Sequence, residues 1–135
     1  MTYSEIKVGD KAFVEKTVSE SDVYLFAGIT GDLNPAHVNE EVMKKSKFGG
    51  RIAHGMLSAG FISAVIGMRL PGPGTIYLSQ TLQFKAPVRI GDTVRAEAEV
   101  MEKLEKGRVK LRTTCSIQDG TVVADGEALV IAPRE

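Results

Sequence analysis

The stretch from Arg51 to Leu70, Arg-Ile-Ala-His-Gly-Met-Leu-Ser-Ala-Gly-Phe-Ile-Ser-Ala-Val-Ile-Gly-Met-Arg-Leu, is the only long segment that reads as one apolar helix. Its hydrophobic residues fall on every face and no charge interrupts it between Arg51 and Arg69, which predicts a helix buried all round, in core or in lipid. Length decides between the two. The uncharged run is shorter than the roughly 20 residues that span a bilayer, and it carries His54, two serines and several glycines. A core helix is expected, not a membrane span. Nothing in Arg51, Ile52 or Ala53 offers the side-chain oxygen that usually caps a helix start, so its first N–H groups need another partner. That partner is water, a neighbouring loop, or an oxygen of a ligand, which helix N-termini favour.

Around this helix the chain changes period. Ser19 and Asp22 form a capping box, Val23, Phe26, Ala27 and Thr30 follow at helical spacing, and Gly31 with Asn34-Pro35 ends that helix. Asn39, Glu40 and Glu41, with Lys44 and Lys45 a turn later, predict a short second helix with charges that suit its dipole. Pro71-Gly72-Pro73-Gly74 breaks the chain, and from Thr75 onward the period is two. Val109, Leu111, Thr113, Cys115 and Ile117 alternate with Lys110, Arg112, Thr114, Ser116 and Gln118, as in a half-exposed antiparallel strand. Cys115 therefore reads as core packing. Val94, Ala96, Ala98 and Val100 repeat the pattern, and the alanines leave room for the helix. Asp119-Gly120 signals a hairpin, Glu105-Lys106-Gly107 a looser one, and Val8-Gly9-Asp10 and Ile90-Gly91-Asp92 each lead into a strand. Gln80 interrupts the inward set Ile76, Leu78, Leu82 and Phe84, so a bond to the loop or helix above it is expected. One N-terminal strand plus four successive ones, with a single apolar helix, imply an α+β fold in which a curled antiparallel sheet wraps the helix.

Composition narrows the function. The chain of 135 residues fits a single domain, 1–135. Lys plus Arg and Asp plus Glu are each 17, with no block of either sign, which argues against a nucleic-acid or membrane surface. No secretory signal is visible, and the single Cys115 cannot form an internal disulfide; both fit a cytoplasmic protein. His37, His54 and Cys115 fall short of a structural zinc set, so no metal is expected.

The run Gly31-Asp32-Leu33-Asn34-Pro35-Ala36-His37 carries the chemistry. A turn locked at Pro35 can bring the Asp32 carboxylate back towards the His37 imidazole, and a carboxylate with a neutral imidazole can hold one water, removing a proton from it and supplying one elsewhere. Turn formation alone also explains Asp32 and Asn34.

Asp32-Leu33-Asn34-Pro35-Ala36-His37, with Ile52-Ala53-His54-Gly55-Met56, Tyr77-Leu78-Ser79-Gln80 and Phe84-Lys85-Ala86-Pro87-Val88, resembles the MaoC-like hot-dog hydratases, above all their short single-domain (R)-specific enoyl-CoA hydratases. The resemblance covers nearly the whole chain. It implies the hot-dog fold, a homodimer, no cofactor, and reversible addition of water to short-chain trans-2-enoyl thioesters, giving (R)-3-hydroxyacyl thioesters, with coenzyme A as the carrier. Asp32 and His37 would be the joint acid–base pair, Gly55 would offer its N–H to the thioester carbonyl, and Asn34 would orient the turn. Ser63 would line the acyl pocket or bond back to its own helix, and Gly55, Ala59, Ile62 and Ile66 would form the face along which the tail runs. His54 is read as structural, since the acid–base pair is already supplied. Competing readings on the same fold are an acyl-CoA thioesterase, a 3-hydroxyacyl-ACP dehydratase using the same site, and a binding module without turnover.

Overall fold

Alternating small and branched residues build the sheet, and their placement fixes where the helix lies. The computed structural model describes residues 1–135. Strand β1 (Lys11–Thr17) is followed by helices α1 (Glu20–Thr30), α2 (Pro35–Val38), α3 (Glu40–Met43) and α4 (Gly55–Met68). Strands β2 (Ile76–Phe84), β3 (Thr93–Lys103), β4 (Arg108–Ser116) and β5 (Val122–Ile131) complete the chain. The five strands form one antiparallel sheet in the order β1-β3-β4-β5-β2. This is the expected hot-dog arrangement, with α4 seated chiefly over β3. Ala96 and Ala98 of β3 are fully buried, as are Ile62, Val65 and Ile66 of α4; the small side chains let the helix approach the sheet. Each such valine or isoleucine contributes about 1.5–3 kcal/mol by leaving water.

The expected turns are present. Asp10 and Asp92 each accept a backbone N–H three residues back, from Lys7 and Arg89, both at 2.9 Å, and Gly9 and Gly91 have φ of 94° and 99°. The capping box of α1 forms as read, with Gly31 in the left-handed conformation at its end.

Three expectations are corrected. The central helix does not start at Arg51: residues 51–54 are extended, because Ile52 pairs with Arg89 and the Ala53 N–H donates to the Val88 carbonyl at 2.7 Å. Nor is the helix buried all round. Ser58, Ile62, Val65 and Ile66 are buried, while Met56, Gly60, Ser63, Ala64 and Met68 are exposed, since the sheet curls over one side only. On β2, the pairing with β5 shifts between Tyr77 and Ser79, so Leu78 is an extra residue and the inner face is Tyr77, Gln80, Leu82 and Phe84. Gln80 accordingly bonds neither loop nor helix. Its amide donates to Thr113 Oγ1 at 2.9 Å, and its carbonyl accepts from the Tyr77 hydroxyl. Burial pushes the Tyr77 hydroxyl up to about 12 and the Cys115 thiol likewise to about 12, so Cys115 is core packing, as read.

Candidate active site

The end of α1, the one-turn α2 and the extended segment 51–54 bring the motif residues to the N-terminal end of α4. Gly31 ends α1, and Asn34 accepts the Ala36 N–H at 3.0 Å, so Pro35 opens a one-turn helix where a plain turn was expected. His37 lies on that turn. Asn34 is thus the N-cap of the turn that carries His37. The Asp32 Oδ1 accepts only the Asn34 N–H, at 3.4 Å, and the residue is exposed.

The extended segment 51–54 holds this turn in place. The Ile52 N–H donates to the Ala36 carbonyl at 3.0 Å, and the Ile52 carbonyl accepts from His37 Nδ1 at 2.7 Å. A carbonyl only accepts, so Nδ1 carries the proton and Nε2 of the neutral ring keeps its lone pair for chemistry. His54, only 2% exposed, stacks on His37 with ring centroids 3.7 Å apart and planes inclined 27°. Its Nε2 donates to the Asp32 carbonyl at 3.0 Å. The acid–base atoms of Asp32, His37 and His54 all lie within 4.8 Å of one another. A carboxylate and two imidazoles this close are able to pass protons to and from one bound water.

A cavity of about 460 Å³ opens beside this group. His37, Gly55, Met56, Ser58, Phe84 and Val88 are among its walls, and most of its lining is apolar. Gly55 opens α4 without a side-chain cap, and its N–H has no acceptor within the chain. A side chain there would collide with Phe84, since a Cβ would stand 2.8 Å from Phe84 Cδ1, so glycine is required for close approach. The expected face is only partly met. His37 and Gly55 line the cavity, whereas Asp32 is not among its walls and stands beside His37. Asn34 acts through the turn, Ser63 lies on the exposed side of α4, and Ile66 is sealed in the core at 1% exposure. Ser58 and Phe84 are lining residues that the sequence reading missed. Ser58 stands three residues after Gly55, a spacing that puts both on one helix face and was available as a signal.

Arg51 secures the segment from outside. It donates to Glu40 Oε2 at 2.9 Å, Glu20 Oε1 at 2.7 Å and the Tyr24 hydroxyl at 2.8 Å, tying α1 and α3 to the strand-like run before α4. These partners raise the Arg51 pKa further, and the guanidinium holds the Glu20 carboxyl below its ordinary 4.5.

Comparison with known proteins agrees with this geometry. The MaoC like domain matches residues 5–121. An (R)-specific enoyl-CoA hydratase of Rhodospirillum rubrum is 59% identical over 97% of this chain and 91% of its own length. A 3-hydroxybutyryl-CoA dehydratase of Methylorubrum extorquens is 52% identical over 98% of this chain and 85% of its own. Among solved structures, the unliganded R-hydratase PhaJ1 of Pseudomonas aeruginosa superposes with a TM-score of 0.97 at 49% identity, over 99% of this chain and 86% of that one.

Arg51→Met should lower stability at neutral pH, by an amount that depends on acid. Because Glu20 has a lowered folded pKa, its contribution is complete above the ordinary value of 4.5 and is lost as pH falls through the lower folded value. Urea unfolding of both proteins across this range should show the gap between them closing on acidification. A gap independent of pH would remove Glu20 from the account.

Proposed function

The chain belongs to the MaoC-like domain family, and from that premise we propose the reaction performed at the start of α4: (R)-specific hydration of a trans-2-enoyl thioester, and its reverse. The protein is a hydro-lyase. Water adds its oxygen to the β carbon and a proton reaches the α carbon, so the step needs a base, an acid and a donor for the enolate oxygen that forms at the thioester carbonyl. The reading is carried by one observation. His37 with a free Nε2 and Gly55 with an unaccepted N–H line one apolar cavity, and the Asp32 carboxylate lies within 4.8 Å of the His37 ring beside it. In this scheme Asp32 and His37 share the water, and Gly55 polarises the carbonyl. Coenzyme A is the carrier we propose, as in the names of both relatives above.

The acyl tail enters past Gly55 and Ser58. In this proposal the tail's path ends beyond Ser58, where Ile62 and Ile66 lie buried in the core behind the cavity's lining, and this favours short chains. Two copies complete the assembly in this proposal. β2 is an edge strand with exposed Ile76, Leu78 and Phe84, and α4 leaves Gly60, Ser63, Ala64 and Met68 uncovered on the same molecule. A long apolar edge invites pairing with its own copy about a twofold axis. Ser63 would then line the acyl path from the subunit boundary. A cytoplasmic setting is proposed, where a lone thiol stays reduced. No helix is long and apolar enough to cross a membrane.

Sedimentation equilibrium at micromolar concentration should give a dimer; a monomer would leave the apolar edge unexplained. Asp32→Asn and His37→Gln should each lower kcat for a short enoyl-CoA by about 10²- to 10⁴-fold, and the double variant by far less than the product, because the two act as one unit. Thiol release without loss of the conjugated double bond would instead identify a thioesterase. Gly55→Val keeps the N–H but sets a side chain against Phe84 and across the carbonyl's approach, and should reduce turnover by about 10²-fold or more, the scale of losing one oxyanion contact, with circular dichroism reporting the fold. A fully active, folded variant would remove the Gly55 N–H from the mechanism. Ile66→Ala should move relative kcat/KM towards longer chains, by about 1–3 kcal/mol per added methylene at most. An unchanged chain-length profile would place the tail elsewhere.

A further inference from the structure

His54 is accounted for neither by the acid–base pair nor by the core. Its ring is buried at 2% exposure and lies between two other rings, Phe26 at 4.7 Å, tilted 48°, and His37 at 3.7 Å, nearly parallel. Its Nε2 donates to the backbone carbonyl of Asp32 at 3.0 Å, which makes Nδ1 the nitrogen with the lone pair. That Nδ1 is buried and has no hydrogen-bond partner. A residue kept only for packing would be apolar, since an unpaired buried nitrogen costs free energy that a phenyl ring in the same slot would not. A surface-type histidine would not be enclosed by two rings. The residue also precedes Gly55 directly, as the N-cap of α4, yet makes no capping bond. One imidazole therefore touches all three parts of the site: Asp32 through its carbonyl, His37 through its ring face, and Gly55 through the chain.

We propose that His54 is the positioning residue of the site, holding the Asp32 loop and the His37 ring in register with the N–H of Gly55. This rests on the hydratase reading above. His54 moves no proton in the reaction; it acts through the groups it holds. The stack stops the His37 ring from tipping about its bond to Ile52, and the bond to the Asp32 carbonyl sets how far the carboxylate stands from His37 Nε2. The opposite tautomers are part of the device. His37 carries a proton on Nδ1 and His54 on Nε2, so each imidazole spends an N–H on a backbone carbonyl and the two stacked rings leave opposite nitrogens unbonded by the chain.

Two variants separate the contacts. His54→Phe keeps the ring against His37 and loses the bond to Asp32; His54→Gln keeps an N–H donor and loses the stack. Each should lower kcat for a short enoyl-CoA by about 10- to 10²-fold, the scale of misplacing a reacting group, with KM changed by less than about threefold. Activity is expressed per folded molecule, using the unfolding transition of each variant. A loss in either variant supports the proposal and identifies the contact that operates. Unchanged kcat in both, with any deficit explained by fraction folded, overturns it. The wild type supplies a readout that needs no variant. It has two histidines, so ¹⁵N ring spectra are expected to show one Nδ1–H and one Nε2–H tautomer. Finding His54 protonated on Nδ1 overturns the proposal. Asp32→Asn and His37→Gln run in parallel: near-normal activity there overturns the hydratase reading itself, while inactive controls beside active His54 variants overturn this inference alone.

Discussion

Four extended residues, Arg51 to His54, govern the rest of the structure because their polar groups tie together several elements that are distant in sequence. Arg51 reaches α1 and α3, the Ile52 amide and carbonyl clasp the motif turn, the Ala53 amide joins the segment before β3, and His54 grips the Asp32 carbonyl. The segment cannot wind into α4 without giving up all of these bonds. Buried backbone groups left without partners cost more than an extra helical turn returns. The helix therefore begins at Gly55, whose N–H, on a residue that lines the cavity, has no acceptor in the chain. Where the helix starts and where the chemistry lies are one decision.

The periodic elements were legible in the sequence because their causes are local. The alternation of Val109 to Cys115, the box of Ser19 and Asp22, and the turn at Asp119-Gly120 each depend on neighbours a few residues away. Errors arose where distant partners override local preference. Ile52 pairs with Arg89 and Ala53 with Val88, contacts that no window around residue 51 contains. The bulge at Leu78 reversed the faces assigned to the first half of β2 for a similar reason, since register belongs to the β5 partner. Ile66 is a third case. Helical spacing put it on the face of Gly55, but the sheet curls over that end of α4 and seals it from the cavity that begins at Ser58. The motif residues Asp32, His37 and Gly55 were read from a resemblance and from plausible chemistry; the closeness of Asp32 to His37, and the cavity that His37 shares with Gly55, are tertiary facts. The position of His54 was hidden most completely. Its value lies in a ring stack and a carbonyl, neither of which leaves a spacing signal.

The small residues explain why such a site fits in a chain of this size. Ala96 and Ala98 allow α4 to sit low on β3, which frees the region beside β5 and the end of β2 for the cavity wall formed by Phe84, Val123 and Ala124. The helix is thus held firmly through Ile62, Val65 and Ile66 and left open at its first turn. A donor fixed to a rigid helix keeps its direction when charge develops, which is what electrostatic stabilisation of an enolate requires.

The manner in which the imidazoles are oriented bears on what the carboxylate can do. In many catalytic sites a carboxylate orients the histidine and is consumed by that task. Here backbone carbonyls do it: Ile52 for His37 and Asp32 for His54. A carbonyl accepts without titrating, so the tautomers do not depend on a neighbouring acid. The Asp32 side chain is consequently spared. Its one bond is a long contact from the Asn34 N–H at 3.4 Å, and one of its oxygens lies within 4.8 Å of the imidazole nitrogens. A free carboxylate and a free imidazole nitrogen, both with directions set by main-chain groups, form a pair able to divide the protons of a single water between them.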